Sequence, residues 1–84
     1  IKLKINKMIL SKLIKKIFKL SDDIIIKDDQ GPGDLDGWDS LGHVILMNEI
    51  QKIYSTSIDM DEMIEIETIS DIRALLRNKG VTDF

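Results

Sequence analysis

Cysteine is absent from this 84-residue chain, which removes disulfides, thiolate metal sites and a cysteine nucleophile at once. Histidine occurs once, too few for a multi-histidine zinc centre. The five glycines are scattered and match neither familiar phosphate-cradling spacing. No apolar run approaches the roughly 20 residues of a membrane-spanning helix, and no segment has the layout of a signal peptide. The chain opens on Ile1 rather than methionine, so it is expected to derive from a longer or processed chain. What is present is a globular balance, 43% hydrophobic and 32% charged. A chain this short buries only roughly 60–65% of its unfolded surface, so one thin core is expected.

The net charge of −3 conceals an asymmetry. Residues 1–20 hold seven lysines and no acid, while the rest hold all 15 acids against five bases, a balance of −10. An acidic body argues against nucleic acid as a partner of the whole domain.

At about 100° per residue, Ile9, Leu10, Leu13, Ile14, Ile17 and Leu20 share one face and Lys12, Lys15, Lys16 and Lys19 the other. The spacing predicts an amphipathic helix over residues 5–20, preceded by strand-like alternation over residues 1–5. A core-packing helix with a solvated lysine face is the plainer reading. A membrane-surface helix is the sharper one, disfavoured by the acidic remainder and by the lack of a lipidation motif.

Residues 21–38 form one long connection, rich in turn residues from Lys27 to Asp34. Its aspartates invite a calcium loop, but the register fails. With Gly37 at the sixth position, Pro32 and His43 occupy the first and twelfth. With Gly33 there, Gln30 and Pro32 fall third and fifth.

Asp39 is suited to cap a helix whose first residue is Ser40. Leu46, Met47, Ile50, Ile53 and Tyr54 form its core stripe, with His43 at the rim. Leu41, Val44 and Ile45 form a second apolar group beside Ser40 and away from that stripe, an expected partner surface. Beyond a loop over residues 55–59, residues 60–66 are expected to form a short helix anchored inward by Met63, Ile64 and Ile66. Thr68 to Asp71 matches a capping box and opens a last helix with Ile69, Ile72, Leu75 and Leu76 inward and Gly80 past its end. Ser40 and His43 are three apart, close enough to pair, but no acid is placed to orient the imidazole and so small a bundle has no deep cleft. Hydrolysis by that pair is set aside.

The run Gly37-Trp38-Asp39-Ser40-Leu41-Gly42-His43, after an acidic glycine-bearing loop and before an amphipathic helix, resembles the phosphopantetheine attachment site of acyl carrier proteins. The helix and loop order agrees with that family over nearly all of residues 5–80. The resemblance implies an all-α four-helix bundle, three main helices and one short, in a single acyl-carrier domain over residues 1–84. It implies a 4′-phosphopantetheine arm joined to Ser40 by a phosphodiester bond, supplying the thiol that the chain lacks so that an acyl, hydroxyacyl or aminoacyl group can ride as a thioester. Asp39 and Leu41 would be read by a phosphopantetheinyl transferase. Leu41, Val44 and Ile45 would meet an acyl-loading ligase or acyltransferase and later acyl-using enzymes. The expected protein is a cytoplasmic monomer serving fatty-acid, lipid or secondary metabolism, with no catalysis of its own, no metal, no nucleic acid and no stable membrane insertion.

One departure stands out. Fatty-acid-synthesis carriers have a strongly acidic exposed side on the second helix, whereas here that side reads Gly42, Ile45, Asn48, Gln51 and Lys52, with Glu49 the one acid between Ser40 and Tyr54. Partner contact is therefore expected to be mainly apolar, as in a specialised carrier. Two other readings stay open: a helical interaction module with Ser40 unmodified or phosphorylated, and a membrane-surface regulator acting through the lysine-rich helix.

Overall fold

A computed structural model describes residues 9–84. The chain runs α1 (Leu10–Phe18), α2 (Ser40–Ile53), α3 (Met60–Glu65) and α4 (Ile69–Asn78), with no strand among the described residues. This is the expected all-α bundle with one short helix and a long first connection. The strand-like residues 1–5 lie outside the described residues, as does the expected start of the first helix. None of these helices is long and apolar enough to cross a membrane.

Local chemistry explains most boundaries. Asp59 and Glu62 form a reciprocal capping box at α3, and Thr68 and Asp71 form another at α4. The amides of Ile69 and Ser70, which have no partner within their own helix, donate to the carbonyls of Gln30 and Asp28 at 2.9 Å each. That contact also fastens the long loop to α4. At the far end of α4, Gly80 takes a left-handed conformation (φ 81) and Val81 N–H donates to Leu76 C=O at 2.9 Å. The first helix is shorter than the apolar spacing suggests. Lys19 enters the left-handed region (φ 56), which stops α1 at Phe18, and Leu20 N–H turns back to Lys15 C=O at 2.9 Å.

Leu10, Leu13 and Ile14 from α1 meet Leu46, Met47 and Ile50 from α2, with Ile69, Ile72 and Leu76 from α4 closing the core. Each such side chain contributes about 1.5–3 kcal/mol by leaving water. Three expected positions are corrected. Ile64 is 70% exposed rather than inward, because in a six-residue helix the i, i+3 pair Met63 and Ile66 already supplies the inner side. Gly42 is buried rather than exposed, since α1 and the loop close over it. Ile9 is also half-exposed, for it precedes the helix whose apolar face it was expected to join. The loop contributes a core residue of its own, Trp38, at 1% exposure.

Candidate functional site

The first turn of α2 is fixed by three local contacts. Asp39 adopts an extended backbone and its carboxylate accepts from Gly42 N–H at 2.8 Å. Its carbonyl accepts from His43 N–H at 2.8 Å. Gly42 lets the helix press on the loop, since a Cβ there would lie 1.9 Å from the Gly37 carbonyl oxygen and against Phe18. Between these anchors Ser40 is exposed, with its hydroxyl at the positive end of a 14-residue helix.

Under Ser40 runs a chain of ring contacts. Phe18 stacks on Trp38 and Trp38 on His43, with centroids 6.1 Å apart in each pair. Trp38 Nε1–H donates to His43 Nδ1 at 3.0 Å, and His43 Nε2 lies 2.8 Å from the Met63 carbonyl oxygen. The indole can only donate and the carbonyl can only accept, so these partners assign the Nε2–H tautomer. Both imidazole nitrogens are occupied. His43 has no lone pair left to take a proton from Ser40, which removes the Ser–His hydrolase on geometry as well as on the missing third group.

Two open grooves flank α2. On the α3 side, a groove of about 300 Å³ is lined by Ser40, His43, Val44, Met60, Met63 and Ile64, among others. On the α1 side, one of about 280 Å³ is lined by Ile17, Phe18, Lys19, Asp39, Leu41 and Ile45, among others. The single apolar group expected from the sequence is thus divided. Val44 shares the groove of Ser40, whereas Leu41 and Ile45 belong to the other. All three are exposed, Leu41 at 70%, Val44 at 42% and Ile45 at 45%.

The sequence reading missed the Trp38–His43–Met63 relay. Its one signal was an indole and an imidazole bracketing the helix cap. The carbonyl partner sits 20 residues further on and has no sequence signature.

The residues present suit a phosphodiester-linked arm. An exposed hydroxyl stands at a helix N-terminus that favours a phosphate charge, and an uncharged groove opens beside it. No curated protein matches the chain. A scan of protein families matches residues 9–76 to the phosphopantetheine attachment site. With that match spanning most of its length, the chain belongs to the phosphopantetheine attachment family, whose domains bear a covalent 4′-phosphopantetheine.

Proposed function

We propose that Ser40 is the residue that bears the arm, and that the chain carries acyl-type groups as thioesters between enzymes without catalysis of its own. The observation that carries this reading is the placement of Ser40. It is the first residue of α2, exposed, next to the capping Asp39, and on the lip of an apolar groove. In the attachment step, the Ser40 oxygen would lose its proton and form the new bond to the phosphopantetheine phosphorus. The bond to the adenosine-bearing part of coenzyme A would break, and that part would leave. The arm then supplies a thiol on a flexible tether. The residues of this chain root it and offer Val44, Met60, Met63 and Ile64 as an apolar bed near its base. The partners are a phosphopantetheinyl transferase, reading Asp39 and Leu41, and enzymes that load and unload the cargo. The whole of residues 1–84 is taken as one carrier domain.

The test is incubation with coenzyme A and a phosphopantetheinyl transferase, read by intact mass. Wild type should gain one arm and Ser40→Ala none. Ser11, Ser21, Ser55, Ser57 and Ser70 lack the Asp-Ser-Leu setting, so a modified Ser40→Ala protein would overturn the assignment. The variant should melt as wild type does, because an exposed hydroxyl contributes little to stability. An unmodified wild type would favour the interaction-module reading instead.

A further inference from the structure

α1 presents Lys12, Lys16 and Lys19 to solvent with no carboxylate partner among the described residues, and residues 1–8 contain no acid to supply one. Lys15, beside them, is tied to the Asp22 carbonyl at 2.9 Å. The four lysines line a shallow basin of about 590 Å³ bounded by Leu20 and Asp22. The nearby acids are Asp22, at the edge of the basin, and Asp23, whose carboxylate is engaged by the Ser21 hydroxyl. Lys19 also lines the α1–α2 groove that holds Leu41 and Ile45. Basin and groove therefore adjoin at Lys19, cationic at one end and apolar at the other, and the groove reaches Asp39, the residue before Ser40.

Lys19 is informative for a second reason. α1 and α4 end with the same turn, an amide five residues on returning to the carbonyl at 2.9 Å in both. In α4 the left-handed residue is Gly80, the inexpensive choice. In α1 it is Lys19, a residue with a Cβ in a region that disfavours one. Holding a cation at that corner comes at the expense of the fold.

Building on the carrier reading, we propose that this surface docks a cargo-handling protein whose own surface sets an apolar knob among carboxylates. The knob enters between Phe18, Leu41 and Ile45, and the carboxylates meet Lys12, Lys16 and Lys19. The charges match nothing else as well. A bilayer requires an apolar helix face, and that of α1 is spent in the core through Leu10, Leu13 and Ile14. A single-stranded nucleic acid finds no stacking platform, since Trp38 and Tyr54 are buried and Phe18 is packed under Trp38, and a duplex would meet the acidic remainder of the chain, 15 acids against five bases over residues 21–84.

The experiment uses the full chain labelled for NMR and two synthetic peptides, one with leucines set between glutamates and one with lysines replacing those glutamates. The glutamate peptide should shift amides of α1 together with those of Leu41 and Ile45, and the lysine peptide should not. Lys19→Gly combined with Lys16→Glu should weaken the glutamate peptide about tenfold, the sum of two surface charge contacts. Lys19→Gly alone should weaken it while its melting temperature stays level or rises, which separates recognition from folding. Equal binding of the two peptides, or shifts confined to α3 and α4, would overturn the proposal. So would stronger engagement of the same amides by phosphatidylcholine vesicles holding about 30% phosphatidylserine. Arm addition to Ser40 is measured on the same samples. Failed peptide binding with a modified Ser40 refutes the surface alone, and an unmodified Ser40 refutes the carrier reading alone.

Discussion

His43 holds one hydrogen-bonding state because its neighbours permit no other. The indole N–H of Trp38 demands an acceptor at Nδ1 and the Met63 carbonyl demands a donor at Nε2. Replacing it leaves the buried Trp38 indole N–H unpaired, the situation in which a lost hydrogen bond costs most, while the Met63 carbonyl keeps the Ile66 N–H at 3.3 Å. His43→Ala should therefore lower stability by about 1–3 kcal/mol in urea titrations. A variant as stable as wild type would mean that the relay is formed but idle. Ser40, three residues away, should behave oppositely, with its loss invisible to stability and decisive for arm addition.

At the scale of the element, α2 has a core side and an open side one residue apart. Leu46 is fully buried and Ile45 is not. Leu46→Ala should cost about 2–5 kcal/mol, as buried leucine truncations do, and Ile45→Ala well under half of that. Comparable losses in melting temperature would show the two sides to be misassigned. α3 depends on charge instead. Glu62 accepts from Asp59 N–H at 3.0 Å and pairs with Lys79 at 3.0 Å, and these contacts, the backbone bond foremost, hold its carboxyl below the ordinary glutamate range. A lowered value means that this contribution is complete above the ordinary range of about 4.3 and fades as pH falls through the folded value. The protection of α3 amides, expressed relative to intrinsic exchange at each pH, should therefore fall on acidification from pH of about 5 downwards, ahead of that of the core of α2. Glu62→Gln should exchange faster at neutral pH and change less with acid. An α3 that responds to acid identically in both proteins would remove Glu62 as the cause.

At the scale of the molecule, the long loop holds the bundle together. Its carbonyls receive the first amides of α4, Arg73 reaches Asp28 at 3.1 Å, and Gly31 lies so close to the α3–α4 linker that a Cβ would sit 1.9 Å from the Glu67 carbonyl oxygen. Gly31→Ala should destabilise the whole domain by about 1–3 kcal/mol, seen as one shifted thermal transition. A local loosening confined to the loop would show that the anchor is not global. The same distinction between local and distant causes governs what could be read beforehand. The cap at Asp39, the start of α2 at Ser40, the Thr68 capping box and the core stripe of α2 follow from neighbours within one or two turns, and they were legible. Ile64 was placed wrongly because six residues do not define a face without knowing what lies beneath. The burial of Gly42, the left-handed turn at Lys19 and the carbonyl that completes the His43 relay all depend on contacts between elements, which residue spacing does not encode.

The occupied imidazole also bears on time. A thioester beside a free general base is exposed to attack by an activated water, and a histidine three residues from the attachment point would be well placed to provide one. With Nδ1 filled by Trp38 and Nε2–H turned to Met63, the imidazole near the root of the proposed arm has no lone pair to offer when a loaded thioester swings back toward it. The persistence of a loaded group would then be set by the intrinsic chemistry of the thioester and by the arrival of the next enzyme. The relay that stiffens the base of α2 would thus also serve as a safeguard on shelf life.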